Sequence, residues 1–268
     1  MHCLTLKVRA VSTLLLSATM FIEWSGFPHI VFAQNVQEAP TGFDDQSNGL
    51  TTPEEFQNDR TLFNEQEQIV DGLGPVYNAQ SCGECHQNPT SGGATQISEL
   101  RAGFFNGSIF NEHPGGSLIH ARAIDASIQE RLQRNTNVRT LRMALSTLGD
   151  GFVECVPNQT FTAIANSQPP AIRGQVIGVP LLEANGTLRV GRFGWKNQHA
   201  SLLSFAADAY LNEMGITSPL QPTENSSNGA SVARSIACQT PKTMEKMCKL
   251  LPGLCALRRR RRAMKHLL

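Results

Sequence analysis

Cys82-Gly83-Glu84-Cys85-His86 places two thiols and an imidazole on one short stretch of chain. This CxxCH spacing, followed by Gln87-Asn88-Pro89, reads as a covalent attachment site for c-type haem. In that chemistry the thiols of Cys82 and Cys85 add across the haem vinyl groups, and His86 takes the proximal position on iron. One covalently bound haem c is the expected cofactor, bringing electron-transfer and peroxide chemistry that side chains lack. Two alternatives stay open. A zinc site would need a second Cys/His pair at ligand spacing, and none follows. A redox dithiol would need neither the adjacent His nor the Gly-rich surroundings.

An attachment site leaves the distal side of the iron to other residues. His113, His120, His199, Met143 and Met214 are the candidates. His113 and His120 flank a Pro-Gly-Gly turn that can bring backbone close to the haem edge. Met214 ends a helix, where core packing competes with ligation. An open sixth position would suit peroxide chemistry and a filled one electron transfer. Trp195, within Arg192-Phe193-Gly194-Trp195-Lys196, is either an aromatic beside haem or a core aromatic with its N–H satisfied. Arg192 and Lys196 are candidate partners for haem propionates, with Arg101 and Arg122 behind them. Glu84 is expected to face solvent, and Cys155 to act as a small buried hydrophobe.

These residues need an oxidising compartment and a scaffold. Lys7 and Arg9 precede an apolar stretch from Val11 to Ile22, and Val31-Phe32-Ala33 fits a cleavage pattern, so residues 1–33 read as a secretory signal. An uncleaved anchor is the alternative. The expected location is periplasmic or otherwise exported, where bacteria attach haem to CxxCH. Residues 34–234 carry 12 Lys and Arg against 20 Asp and Glu, and nothing there points to nucleic acid. The last 34 residues, 235–268, carry 9 Lys and Arg against a single acid, Glu245.

Residues 34–48 read as a polar, flexible lead-in, and 49–234 as the c-type haem domain. Thr52-Pro53-Glu54-Glu55 is a helix start, with Thr as cap, Pro at the first position and Glu closing a capping box. Phe56, Leu62, Phe63 and Ile69 give that helix an apolar face, and Asp71-Gly72-Leu73-Gly74-Pro75 stops it. The haem motif then falls on a loop or a short helical turn. Residues 98–124 look extended, with turns at Asn106-Gly107 and Pro114-Gly115-Gly116. A hairpin is expected from 175–182 and 188–193 around Asn185-Gly186, a pair suited to a type I′ turn. Asn158 is placed to cap a short helix. The longest later helix runs from Asn197 to Met214, closed by Gly215 and burying Leu202, Leu203, Phe205, Ala206, Ala209, Tyr210 and Met214. The expected fold class is mainly α: a cytochrome c-like haem domain, loop-rich with small β-hairpins.

Several longer strings sharpen this reading. Asp71-Gly72-Leu73-Gly74-Pro75-Val76-Tyr77-Asn78-Ala79-Gln80-Ser81 runs straight into the haem motif. His113-Pro114-Gly115-Gly116-Ser117-Leu118, Leu148-Gly149-Asp150-Gly151-Phe152-Val153-Glu154, Gly191-Arg192-Phe193-Gly194-Trp195-Lys196 and Asn212-Glu213-Met214-Gly215-Ile216 follow. Over residues 50–233 the chain resembles peroxidase-like di-haem c-type oxidoreductases, also described as thiol oxidoreductases. These are distant relatives of bacterial di-haem cytochrome c peroxidases. The resemblance implies a periplasmic haem oxidoreductase exchanging electrons with a redox partner such as another cytochrome. The family pattern has two CxxCH motifs in two domains, and this chain has one. The expected function is the amino-terminal half of such an enzyme. Alternatives are a single-haem electron carrier and a truncated, non-functional product.

The change of composition after Arg234 predicts a shifted reading frame. Read one base earlier, the codons from Pro241 onward can spell an acidic, family-like helix start. Met244 before Glu245 then forces Gly, and Met247 before Cys248 forces Val, both where the family-like text needs them. Residues 235–268 are thus read as an aberrant basic tail.

Overall fold

A computed structural model of the protein describes residues 43–47 and 49–224. The expected signal at 1–33, most of the lead-in and the basic tail at 235–268 lie outside the described residues, so the shifted-frame reading is not met by them.

Helix α1, Pro53–Asn64, starts as its sequence requires. The Thr52 hydroxyl accepts from the Glu55 amide at 3.2 Å, and the Glu55 carboxylate accepts from the Thr52 amide at 3.0 Å. It stops at Glu65, earlier than the glycines suggest. A separate 3-10 turn, Ile69–Asp71, occupies the remainder and leaves Ile69 exposed. The CxxCH segment forms one helical turn, α2, Cys82–Cys85, after β1 (Val76–Tyr77) in the chain.

The region after it is mostly strand. β1 (Val76–Tyr77) pairs with β5 (Arg122–Ala123). A four-stranded antiparallel sheet is built on β2 (Ser98–Phe105), which pairs with β3 (Phe110–Glu112), β4 (Leu118–Ile119) and β6 (Val138–Met143). Opposed residues share a face. Glu99 therefore lies with Arg142 on one face, and Ser98 with Met143 on the other. A short hairpin of β7 (Gly178–Pro180) and β8 (Leu188–Val190) makes the third sheet. Its loop spans 181–187 with Leu181 bonded to Thr187, and of the Asn-Gly pair only Gly186 takes a positive φ, so the expected type I′ turn is not made.

Between the sheets lie α3 (Asp150–Cys155) and α4 (Asn158–Ser167). Pro157, not Asn158, is the cap of α4, because the Asn158 side chain is held by Arg192. Helix α5, Leu202–Met214, begins later than its pattern suggested. Gly194 and Asn197 take positive φ, which breaks the helix, and Ser201 caps it. Its buried face is Leu203, Ser204, Ala207, Tyr210, Leu211 and Met214.

The mainly α expectation is therefore corrected. Helices account for 30% and strands for about 20%, in three sheets, so a mainly-α cytochrome fold is not what these residues build. The expectation failed because β6 carries no hydrophobic alternation: Val-Arg-Thr-Leu-Arg-Met is an exposed edge, and only its pairing with β2 makes it a strand.

The core sits where α5 meets the segment leading into α2. Leu73, Leu203, Ala207, Tyr210, Met214 and Ile216 form it, with Tyr77 and Cys82 packed against them. Backbone bonds stitch the two segments together: Gly74 N–H to Met214 C=O at 2.8 Å and Asn78 N–H to Glu213 C=O at 2.7 Å. Gly215 ends α5 at φ 67°, against the Val76 carbonyl.

Candidate functional site

The Cys82–Cys85 segment is held as a helical turn. The Ser81 hydroxyl caps it by accepting from the Glu84 amide at 3.1 Å, and His86 N–H donates to the Cys82 carbonyl at 2.9 Å. Residues three apart on a helical turn share a face, so the turn presents both cysteines together. Neither is in a disulfide. Burial pushes the Cys82 thiol up to about 12, helped by Glu67. Burial likewise pushes Cys85 up to about 11, with the carboxylates of Glu213, Glu99 and Glu84 adding to it and Arg122 opposing. An exchanging dithiol or a thiolate metal ligand needs the opposite, a lowered thiol pKa.

His86 is oriented by the loop that follows. Gln87 and Asn88 amides both donate to the Ala94 carbonyl, and the Gly92 amide returns to the His86 carbonyl. The closed loop sets the Gly93 carbonyl 3.1 Å from His86 Nδ1. A proton held on Nδ1 leaves the Nε2 lone pair as the ligating one. Burial lowers the imidazole's pKa, against the Gly93 and Leu145 carbonyls and the Glu99 charge, so the neutral form is favoured. The Phe63 ring meets His86 edge-on at 6.2 Å.

These residues fit haem c: two neutral thiols on one turn, a neutral imidazole of fixed orientation next to them, and an aromatic ring against it. Among the described residues no three His, Cys, Asp or Glu side chains converge as a cage for a metal ion. Haem attachment would need no such cage: Cys82 and Cys85 would hold the group covalently and His86 would bind its iron.

Charged groups surround the motif. Glu84 does not simply face solvent: its carboxylate accepts from the Gln80 amide at 2.8 Å and pairs with Arg122 at 2.5 Å. Arg101 bonds Glu99 at 2.9 Å and stands 3.8 Å from Glu213. Glu213 also accepts from the Asn78 amide nitrogen at 2.9 Å. Burial raises Glu213 to about 7, and the Glu99 charge adds to the rise, while Asn78 and Arg101 oppose it. A quarter of its side-chain surface still reaches solvent, 26%, so crowding by Glu99 matters beside burial. Trp195 is exposed and lies 6.0 Å from the Arg142 guanidinium, on the Glu99 side of the sheet.

Of the five distal candidates, His113, His120 and Met214 are held by other contacts. His120 is fully buried, with Nδ1 2.8 Å from Glu130 and Nε2 2.7 Å from the Asn212 carbonyl. His113 is buried with Nε2 bonded to the Thr136 hydroxyl at 3.0 Å. Met214 belongs to the core. Met143 is exposed on the sheet face opposite Glu99. His199 tilts over Phe205, its Nε2 3.3 Å from an Asp208 oxygen; that is ion-pair distance, but the angle is too poor for a hydrogen bond.

Arg192 is placed as a structural residue. Its guanidinium donates to the Val156 carbonyl at 2.7 Å, the Val153 carbonyl at 3.2 Å and the Asn158 side chain at 2.7 Å, closing the end of α3. Lys196 is exposed, in the loop before α5. Cys155 is exposed, not buried as its type suggested, because it sits on the outer side of the short α3. Sequence reasoning missed Glu99 and Glu213 as neighbours of the motif. Their only signal was Glu213 within a family-like string.

The chain matches no family model, no curated protein and no solved structure.

Proposed function

We propose that this chain is a haem c-binding oxidoreductase domain, exported and served by a one-electron redox partner. The observation that carries the reading is the Cys82–Cys85 turn with His86 beside it, its Nδ1 held by the Gly93 carbonyl and both thiols neutral. Bound haem would supply one-electron transfer and, with an open sixth position, peroxide reduction. The protein's part is to hold His86 in one tautomer, fix both thiols on one face and surround the motif with charge.

The resemblance to di-haem oxidoreductases supports the same class, as one half of a two-haem arrangement. The engaged nitrogens of His113 and His120 and the core position of Met214 favour an open distal side, and so an oxidoreductase over a six-coordinate electron carrier. The test is an alkaline pyridine haemochrome spectrum on chain exported from cells that attach haem c. Covalent haem in the wild type, falling to background in the Cys82→Ser/Cys85→Ser double variant, is the expected result. A wild-type chain without haem would sink the proposal.

A further inference from the structure

The central sheet has an open edge at β6. Among the described residues β6 pairs with β2 and with no other strand. The ladder shows which backbone groups are left over. The Gly103 carbonyl accepts from the Asn137 amide on the β6 side at 3.2 Å, and the Ala102 amide donates to the Ser117 carbonyl beside β4 at 2.7 Å. Backbone groups alternate sides along a strand, so Gly103, Arg101 and Glu99 face β6 and meet Val138, Thr140 and Arg142. The N–H and C=O groups of Arg139, Leu141 and Met143 therefore point away from the sheet, where no described strand takes them. An edge of this kind can accept an extended segment as a further strand. The side chains of the same three residues share one face and are exposed, Leu141 at 66% and Met143 at 51%.

Charge decides which segment fits. From Arg131 to Gly149 the chain carries four arginines, Arg131, Arg134, Arg139 and Arg142, and no acid, in a body that is acidic overall. Arg142 is partly answered within the fold, since it stands opposite Glu99 and its guanidinium lies 6.0 Å from the Trp195 ring. Arg139 is exposed and stands opposite Ala102, with no acid across from it. A second copy on this edge would bring two sets of the same arginines together, which like-charge repulsion opposes. Residues 235–268, with 9 Lys and Arg against one acid, have the wrong sign as well. We propose that β6 is a docking edge for an extended acidic segment of a partner protein, added antiparallel as a further strand. Two glutamates three residues apart in that segment stand opposite Arg139 and Arg142, and apolar residues stand opposite Leu141 and Met143. The edge lies next to the CxxCH loop: four residues after Met143, the Thr147 amide donates to the Gly92 carbonyl at 2.8 Å. The inference goes beyond the haem reading and holds whether or not haem is attached.

The probe is a dye-labelled synthetic peptide, Thr-Val-Glu-Val-Thr-Glu-Thr, whose fluorescence anisotropy is followed as the full chain is added. Chain concentrations up to about 0.5 mM cover the weak end of peptide recognition. The peptide should bind, and binding should weaken by about fivefold or more at high salt and in Arg139→Glu. The same peptide with Lys in place of both Glu should not bind. Methylating the amide nitrogen of the second Val removes the N–H that meets the Leu141 carbonyl, and should abolish binding with every charge unchanged. That comparison uses the wild-type chain, so it stands even where a variant fails to fold. No binding of the Glu peptide, equal binding of the Glu and Lys peptides, or undiminished binding of the methylated peptide overturns the proposal. A chain that sediments as a dimer and excludes the Glu peptide would put a second copy on β6, and overturns it too.

Discussion

At the scale of single residues, the carbonyl of Gly93 is as important to the site as the His86 imidazole it orients. A methyl at Gly93 would collide with the Asn88 carbonyl, which is fixed by its own bond from Ala94. Gly93→Ala is therefore expected to cost about 1–3 kcal/mol by overpacking and to lower the haem content of exported protein, although the residue binds nothing. Haem absorbance per polypeptide checks it. The distal side makes a second residue-level prediction. With His113, His120 and Met214 held elsewhere, the ferric protein should show a high-spin spectrum at neutral pH. Electron paramagnetic resonance reads this directly, and a pure low-spin signal would assign one of these residues, His199 or Met143 to the iron. Cys82, Cys85 and His86 stood out in sequence because their spacing is local, and the structure adds that the two cysteines share one helical turn with His86 next to it. Arg192 was misread because its carbonyl partners at Val153 and Val156 lie in a short helix that no pattern announced.

At the scale of elements, the strongest caps were read correctly, the Asn185-Gly186 turn and the Asn158 cap were not, and the long-range pairing of the central sheet was missed. Thr52 and Glu55 announced the start of α1, and Gly215 the end of α5, since caps depend on a few adjacent residues. The central sheet was invisible as a sheet. Its longest pairing joins Ser98 to Met143 and Gly103 to Val138, and β6 is a charged edge without alternation. The Glu99–Glu213 pair was missed for the same reason, since it exists only once β2 lies beside α5. The junction of α5 with β1 gives the element-level prediction. Gly215 has φ 67°, and an added methyl would stand 2.5 Å from the Val76 carbonyl oxygen. Gly215→Ala is expected to cost about 3 kcal/mol, the left-handed penalty and the clash together, read as a lowered urea midpoint.

At the scale of the whole molecule, stability should carry the mark of the raised carboxyl of Glu213. A carboxyl whose folded pKa lies above its unfolded value binds more protons in the folded state, so stability falls as pH rises between the two. For Glu213 the window runs from the ordinary 4.5 to about 7. His86, lowered by burial, works in the opposite direction, because its unfolded form takes up the proton first as pH falls. Comparing wild type with Glu213→Gln isolates the carboxyl. The wild type should lose stability relative to the variant between about pH 5 and about pH 7, measured by urea unfolding of haem-free chain at each pH. A constant difference would mean that Glu213 titrates normally.

Among the described residues no helix is long and apolar enough to cross a membrane. The proposed function rests on the Cys82–Cys85 turn and on His86 beside it. The most direct measurement is peptide mass mapping of the chain exported from cells equipped to attach haem c. The peptide spanning Cys82 to His86 should carry haem through both cysteines in the wild type, with neither thiol open to alkylation. Recovery of that peptide unmodified, with both thiols alkylated, would contradict the account.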